Sequence, residues 1–148
     1  MKVPFVAPML VFVLVGLFFS PAGAETLTYF LDVSFDIPAS VVRGVARISL
    51  PKAEEVKVRK GSLKLVRVRL DGADLPAKEE AGEVRILPPH KGTLEIVYEG
   101  IFPEAQGEGE PDDVIGAKGV FLTGPWYPKP DRMCIYHVKA VLPAGFEA

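Results

Sequence analysis

The sequence predicts an all-β fold: an antiparallel β-sandwich or saddle-like domain preceded by a signal-peptide helix. Three observations carry this reading. After residue 24, apolar and polar residues alternate at a period of two over most runs, the pattern of half-buried strands. Clusters of Gly, Pro and Asp separate those runs, as turns do. No long stretch there has the 3.6-residue period of an amphipathic helix. Short strands broken by turn signals indicate a sandwich or a related antiparallel architecture.

The segment before residue 25 has a different chemistry. Lys2 is followed by Val3 to Phe19, which carries no charged side chain, and then by Ser20-Pro21-Ala22-Gly23-Ala24. A basic start, an apolar stretch and small residues at Ala22 and Ala24 read as a secretory signal peptide over 1–24. The apolar run is shorter than the roughly 20 residues a membrane span needs, and Pro4 and Pro8 interrupt it. Cleavage is expected between Ala24 and Glu25. The product, 25–148, is then exported to the periplasm or the extracellular space, with no membrane attachment after cleavage.

The strands follow in order. Leu27, Tyr29, Leu31, Val33 and Phe35 share one face, and Thr28, Phe30, Asp32, Ser34 and Asp36 the other. Val42, Gly44, Ala46, Ile48 and Leu50 form the next apolar face, with Pro38 and Pro51 closing that run at its two ends. Val56 and Val58 mark a short strand, and Lys60-Gly61-Ser62 a turn. Leu63 to Leu70 changes phase between Leu65 and Val66, which predicts a β-bulge. Asp71-Gly72 predicts a hairpin turn into Ala73 to Leu75. Glu83 to Leu87 and Thr93 to Tyr98 are further strands, and 103–118 reads as an acidic, glycine-containing loop. Gly119 to Leu122 and Ile135 to Leu142 complete the set. Between them Pro125, Pro128 and Pro130 hold an irregular stretch around Trp126 and Tyr127.

Size and charge exclude several functions. A chain of 148 residues is too short for a (β/α)₈ barrel, which needs roughly 250. A formal net charge of −2 offers nucleic acid no general attraction. Cys134 is the single cysteine, so no internal disulfide forms and the thiol reads as a small buried hydrophobe. The two histidines, His90 and His137, stand in no His-Glu-x-x-His motif, and no serine stands in a Gly-x-Ser-x-Gly elbow. Glu108, Glu110 and Asp112 alternate like the start of a calcium loop. However, the required glycine and final glutamate are replaced by Asp113 and Gly119. No catalytic, cofactor-binding or metal-binding residue is assigned. Trp126 and Tyr127 are the candidate binding surface, either as an aromatic platform or as a plug at the sandwich end.

Three segments carry a resemblance. They are Tyr29 to Asp36 with Val42 to Ile48; Leu94-Glu95-Ile96-Val97-Tyr98-Glu99-Gly100; and Gly119 to Pro128 followed by Tyr136 to Phe146. In order and spacing these resemble the N-terminal β domain of the gluzincin zinc aminopeptidases (peptidase family M-one). The Trp126-Tyr127-Pro128 segment and Leu142-Pro143-Ala144-Gly145-Phe146 are its most specific parts. The resemblance implies a noncatalytic domain that supports a catalytic domain and helps wall its substrate cleft. It also implies that zinc belongs to that downstream part, with no cofactor in this chain. The missing catalytic domain, or a protein partner, is the expected partner, and 25–148 is expected to be an incomplete fragment. The alternative is a freestanding periplasmic β-sandwich that binds a partner or ligand.

Overall fold

Twelve strands and no helix form among the described residues, which are 25–104 and 113–146 of this computed structural model. In chain order they are β1 (Leu27–Asp36), β2 (Val41–Leu50), β3 (Val56–Arg59), β4 (Lys64–Leu70), β5 (Ala73–Asp74) and β6 (Ala77–Glu80). Then come β7 (Glu83–Ile86), β8 (Gly92–Ile101), β9 (Asp113–Gly116), β10 (Gly119–Leu122), β11 (Lys129–Pro130) and β12 (Cys134–Val141). The signal segment 1–24 lies outside the described residues.

The larger sheet has the order β12-β1-β2-β8-β4-β5, and the smaller one β11-β3-β7-β6. A hairpin of β9 and β10 stands apart from both. The alternation read from the sequence sets which side chains face inward. Leu27, Tyr29, Leu31 and Val33 of β1 join Ala46 and Ile48 of β2 and Leu94, Ile96 and Tyr98 of β8 in the core. Val56, Val58, Val84 and Ile86 of the smaller sheet belong to the same cluster. The two sheets therefore share one core, and burying these side chains is the main stabilising force.

Local chemistry fixes the registers. Asp71 and Gly72 both take positive φ, 49° and 85°, as a type I′ turn requires between β4 and β5. Asp71 also accepts a hydrogen bond from Thr93 N, at 2.8 Å. The predicted bulge appears where β4 pairs with β8, between Leu65 and Arg67. Three strands went unforeseen. β6 pairs with β7 through a second tight turn at Ala81-Gly82, where Ala81 holds φ 47°. β9 lies inside the stretch expected to be loop, and β11 lies inside the proline-rich stretch.

Strand pairing is antiparallel except between β1 and β12, which run parallel from Leu27↔Cys134 to Ser34↔Val141. β12 is the outermost strand of its sheet. Cys134 is half-buried, but Ile135, Val138 and Val141 are exposed. Val138 and Ala140 are exposed on the sheet's edge, and Tyr136, packed against Tyr29, keeps 39% of its surface exposed.

Candidate functional site

Trp126 and Tyr127 sit in the loop between β10 and β11, and the chain is pinned there at several points. Asp113 at the start of β9 accepts hydrogen bonds from the backbone N–H groups of Thr123 and Gly124, the latter at 2.8 Å. Trp126 N donates to Gly124 O at 2.9 Å. Tyr29, fully buried, donates its hydroxyl to the carbonyl of Pro128 at 2.7 Å across 99 residues of sequence. Proline-fixed backbone at 125, 128 and 130 keeps the loop extended between these anchors.

The aromatic rings then stack edge to face. Tyr127 meets Tyr29 at 6.0 Å and Tyr136 at 5.9 Å, and Trp126 meets Tyr127 at 4.9 Å. Such pairs contribute about 0.5–1.5 kcal/mol each beyond burial. Both Trp126 and Tyr127 are half-buried and packed against the core. Their remaining surface lines an open depression of about 350 Å³, shared with Thr123, Gly124 and Pro125 and with Arg59 and Lys129. The pair thus closes the sandwich end and lines a depression at once. Arg59 and Lys129 were not singled out from the sequence. They meet only through the β3–β11 register Lys129↔Arg59, a long-range pairing that leaves no local signal.

Three tyrosines have phenols shifted above their ordinary range. Burial is the largest cause at Tyr29, Tyr98 and Tyr136. Burial also raises the Cys134 thiol, which disfavours the thiolate and so nucleophilic chemistry. His137 is exposed and stacks on Phe30, with ring centroids 4.8 Å apart. His90 lies in an exposed turn with Nδ1 2.7 Å from Lys91 O. No group of three His, Cys, Asp or Glu among the described residues could hold a metal ion, so these residues do not fit a zinc centre. Glu108, Glu110 and Asp112 lie outside the described residues.

The outer faces of the two sheets differ in charge balance. On the larger sheet, Arg47 reaches Asp32 at 2.6 Å and Glu95 at 3.3 Å. The hydrogen bond to Asp32 is the main cause raising the Arg47 pKa. Lys64 pairs with Glu99 at 3.2 Å and Arg69 with Asp74 at 3.0 Å. That face largely neutralises itself around a groove of about 460 Å³ that includes Val45, Val97 and Val141.

Comparison with solved structures bears on the architecture. Eighty-one per cent of the chain superposes on an M1 zinc metallopeptidase from Deinococcus radiodurans, bound to the substrate Tyr-Ser-Ala, with a TM-score of 0.58 and 14% identity. The fold is similar to one found in M1 zinc metallopeptidases. A second structure of the Deinococcus radiodurans M1 zinc metallopeptidase gives a TM-score of 0.57 at 14% identity, over 81% of this chain and 33% of that one. An aminopeptidase N family protein from Idiomarina loihiensis gives 0.52 at 12% identity, over 76% of this chain and 22% of that one. The chain spans about a third of the length of the first M1 metallopeptidase it matches. No protein-family model and no curated protein sequence matches it. At these identities the likeness to M1 metallopeptidases is one of fold, and the β-domain architecture read from the sequence agrees with it.

Proposed function

We propose that this chain is the noncatalytic N-terminal β domain of an exported zinc aminopeptidase-like metallopeptidase. It supports a catalytic domain and walls part of that domain's substrate cleft. The observation that carries this reading is the match of 81% of the chain to only 33% of an M1 zinc metallopeptidase. The Trp126-Tyr127-Pro128 segment supports it from the sequence side. Zinc, on this reading, belongs to the catalytic domain, where it supplies the Lewis acid for peptide hydrolysis. The role of this chain's own residues is to hold shape: the Tyr29–Pro128 bond and the aromatic cluster fix the loop that carries Trp126.

The test has two arms. Sequencing the DNA downstream of the Ala148 codon should reveal a His-Glu-x-x-His coding segment, in frame or frame-shifted. The purified 148-residue chain should hydrolyse no aminoacyl substrate and retain no stoichiometric zinc. Zinc-dependent peptidase activity in that pure material would overturn the proposal.

A freestanding binding module is the second reading. The continuous core between the two sheets favours it, as does the depression beside Trp126. A single cooperative thermal transition of monomeric 25–148 supports it, and aggregation counts against it. Trp126→Ala separates the roles: lost ligand binding with folding retained marks a platform, and lost folding marks a plug.

A further inference from the structure

The outer face of the smaller sheet carries a row of like charges. Cross-strand register places Lys57 opposite Arg85, and Arg85 opposite Lys78. Three cations therefore stand in one row across β3, β7 and β6. Like charges directly opposite one another destabilise a sheet. The next row adds Arg59 opposite Lys129. Lys57 reaches Glu55 at 3.7 Å, but among the described residues no ion pair forms at Arg59, Lys78, Arg85 or Lys129. On the larger sheet, by contrast, most outer-face cations are paired.

We propose that this face docks an extended acidic polypeptide segment. Three features select that occupant. Lys57 and Arg59 are alternate residues of one strand on one face, and alternate residues of an extended peptide repeat at nearly the same distance, about 6.8 Å. Leu87, 70% exposed, continues the outward parity of Glu83 and Arg85, and Met133, 80% exposed, lines the groove with Lys57 and Arg59. These offer apolar contacts that a peptide side chain meets. Glu83 and Glu80 complete the second row, and they would repel a uniform polyanion such as a nucleic acid or an anionic membrane. The groove has a volume of about 450 Å³. This inference is independent of the metallopeptidase reading.

The test uses the 148-residue chain and a fluorescent peptide, Glu-Leu-Glu-Gly-Glu-Leu-Glu, read by anisotropy at low salt. Binding is expected, and it should weaken as salt screens the charges. The double variant Lys57→Ser/Arg59→Ser, which removes two cations lining the groove, should weaken binding about tenfold while circular dichroism stays unchanged. Arg67→Ser, on the other sheet, should leave affinity unchanged. Equal affinity in the double variant overturns the proposal, as does equal or tighter binding to heparin or phosphatidylglycerol vesicles. A variant neutralised at Glu108, Glu110 and Asp112 tests the chain's own acidic stretch as the occupant. A tenfold gain in peptide affinity there would overturn docking of a separate segment.

Discussion

Tyr98 offers a direct test of how the core is assembled. Its side chain is 1% exposed, and its hydroxyl is buried with no hydrogen-bond partner. A buried hydroxyl left unpaired costs about 1–3 kcal/mol. The ring fits because β2 carries glycine opposite it, Gly44↔Tyr98. A Cβ at Gly44 would stand 2.6 Å from Tyr98 Cε1 and closer still to Cζ and the hydroxyl. Tyr98→Phe keeps the ring and deletes the unpaired group, so it should stabilise the fold by about 1 kcal/mol. In thermal unfolding this is a rise of about 4 °C. Gly44→Ala should destabilise by about 1–3 kcal/mol through overpacking. Tyr98→Leu in the Gly44→Ala background should recover part of that loss, and a double-mutant cycle measured by urea denaturation quantifies the coupling. If Tyr98→Phe instead costs about 1 kcal/mol or more, the hydroxyl is bonded to an ordered water, and the reasoning fails.

Other perturbations probe separate features. Tyr29→Phe removes the bond to Pro128 and leaves its buried carbonyl unpaired. Urea midpoints should report a loss of about 1–2 kcal/mol, with local loosening at Trp126 visible in its fluorescence. Ala81→Gly relieves a positive-φ alanine, φ 47°, and should raise the melting temperature through a gain of about 1 kcal/mol. Alkaline titration should show stability falling above the ordinary phenol pKa of 10.0, because burial raises the folded-state values of Tyr29 and Tyr98. There the unfolded chain binds fewer protons than the folded one, so the slope is negative, about 1.4 kcal/mol per pH unit for each tyrosine. Stability that stays flat up to pH 12 would contradict that burial. Arg85→Thr removes the centre of the three-cation row and should stabilise the fold by about 0.5 kcal/mol at low salt, with the gain shrinking as salt is added.

Local chemistry explains what the sequence revealed. The long strands β1, β2 and β8 carry a period-two pattern, and from Val42 onward in β2, up to Val33 in β1 and from Leu94 to Gly100 in β8 the buried face follows it. The bulge at Leu65/Arg67 was legible because a phase slip in hydrophobicity is itself the local signature. The β6–β7 hairpin was obscured by Ala81, since alanine is a poor marker for a left-handed turn. β6 itself reads Ala-Lys-Glu-Glu, a composition that does not favour strand. β9 was hidden by the acidic residues before it, and its pairing with β10 supplies the order. At the candidate site, Trp126 and Tyr127 were visible as aromatics between prolines. The contact of Tyr127 with Tyr29 was not, because 98 positions separate the partners. The cation row on the smaller sheet was equally invisible: Lys57, Lys78 and Arg85 look ordinary until register aligns them.

The parallel pairing of β1 with β12 has a consequence in time. Leu27 meets Cys134, and Leu27 N bonds to Met133 O at 3.2 Å, so the first strand of the domain waits for nearly the last. Closing so long a loop is entropically slow, and non-local pairing of this kind places a fold among the slower-forming ones. A chain emerging N-terminus first can join β1 to β2 early, but β1 keeps one edge open until residue 141 has emerged. During that interval the open edge is a template for wrong partners. Whatever occupies the edge of β1 in the meantime sets the yield of folded protein, so the rate of chain delivery and the final structure are linked through a single pair of strands.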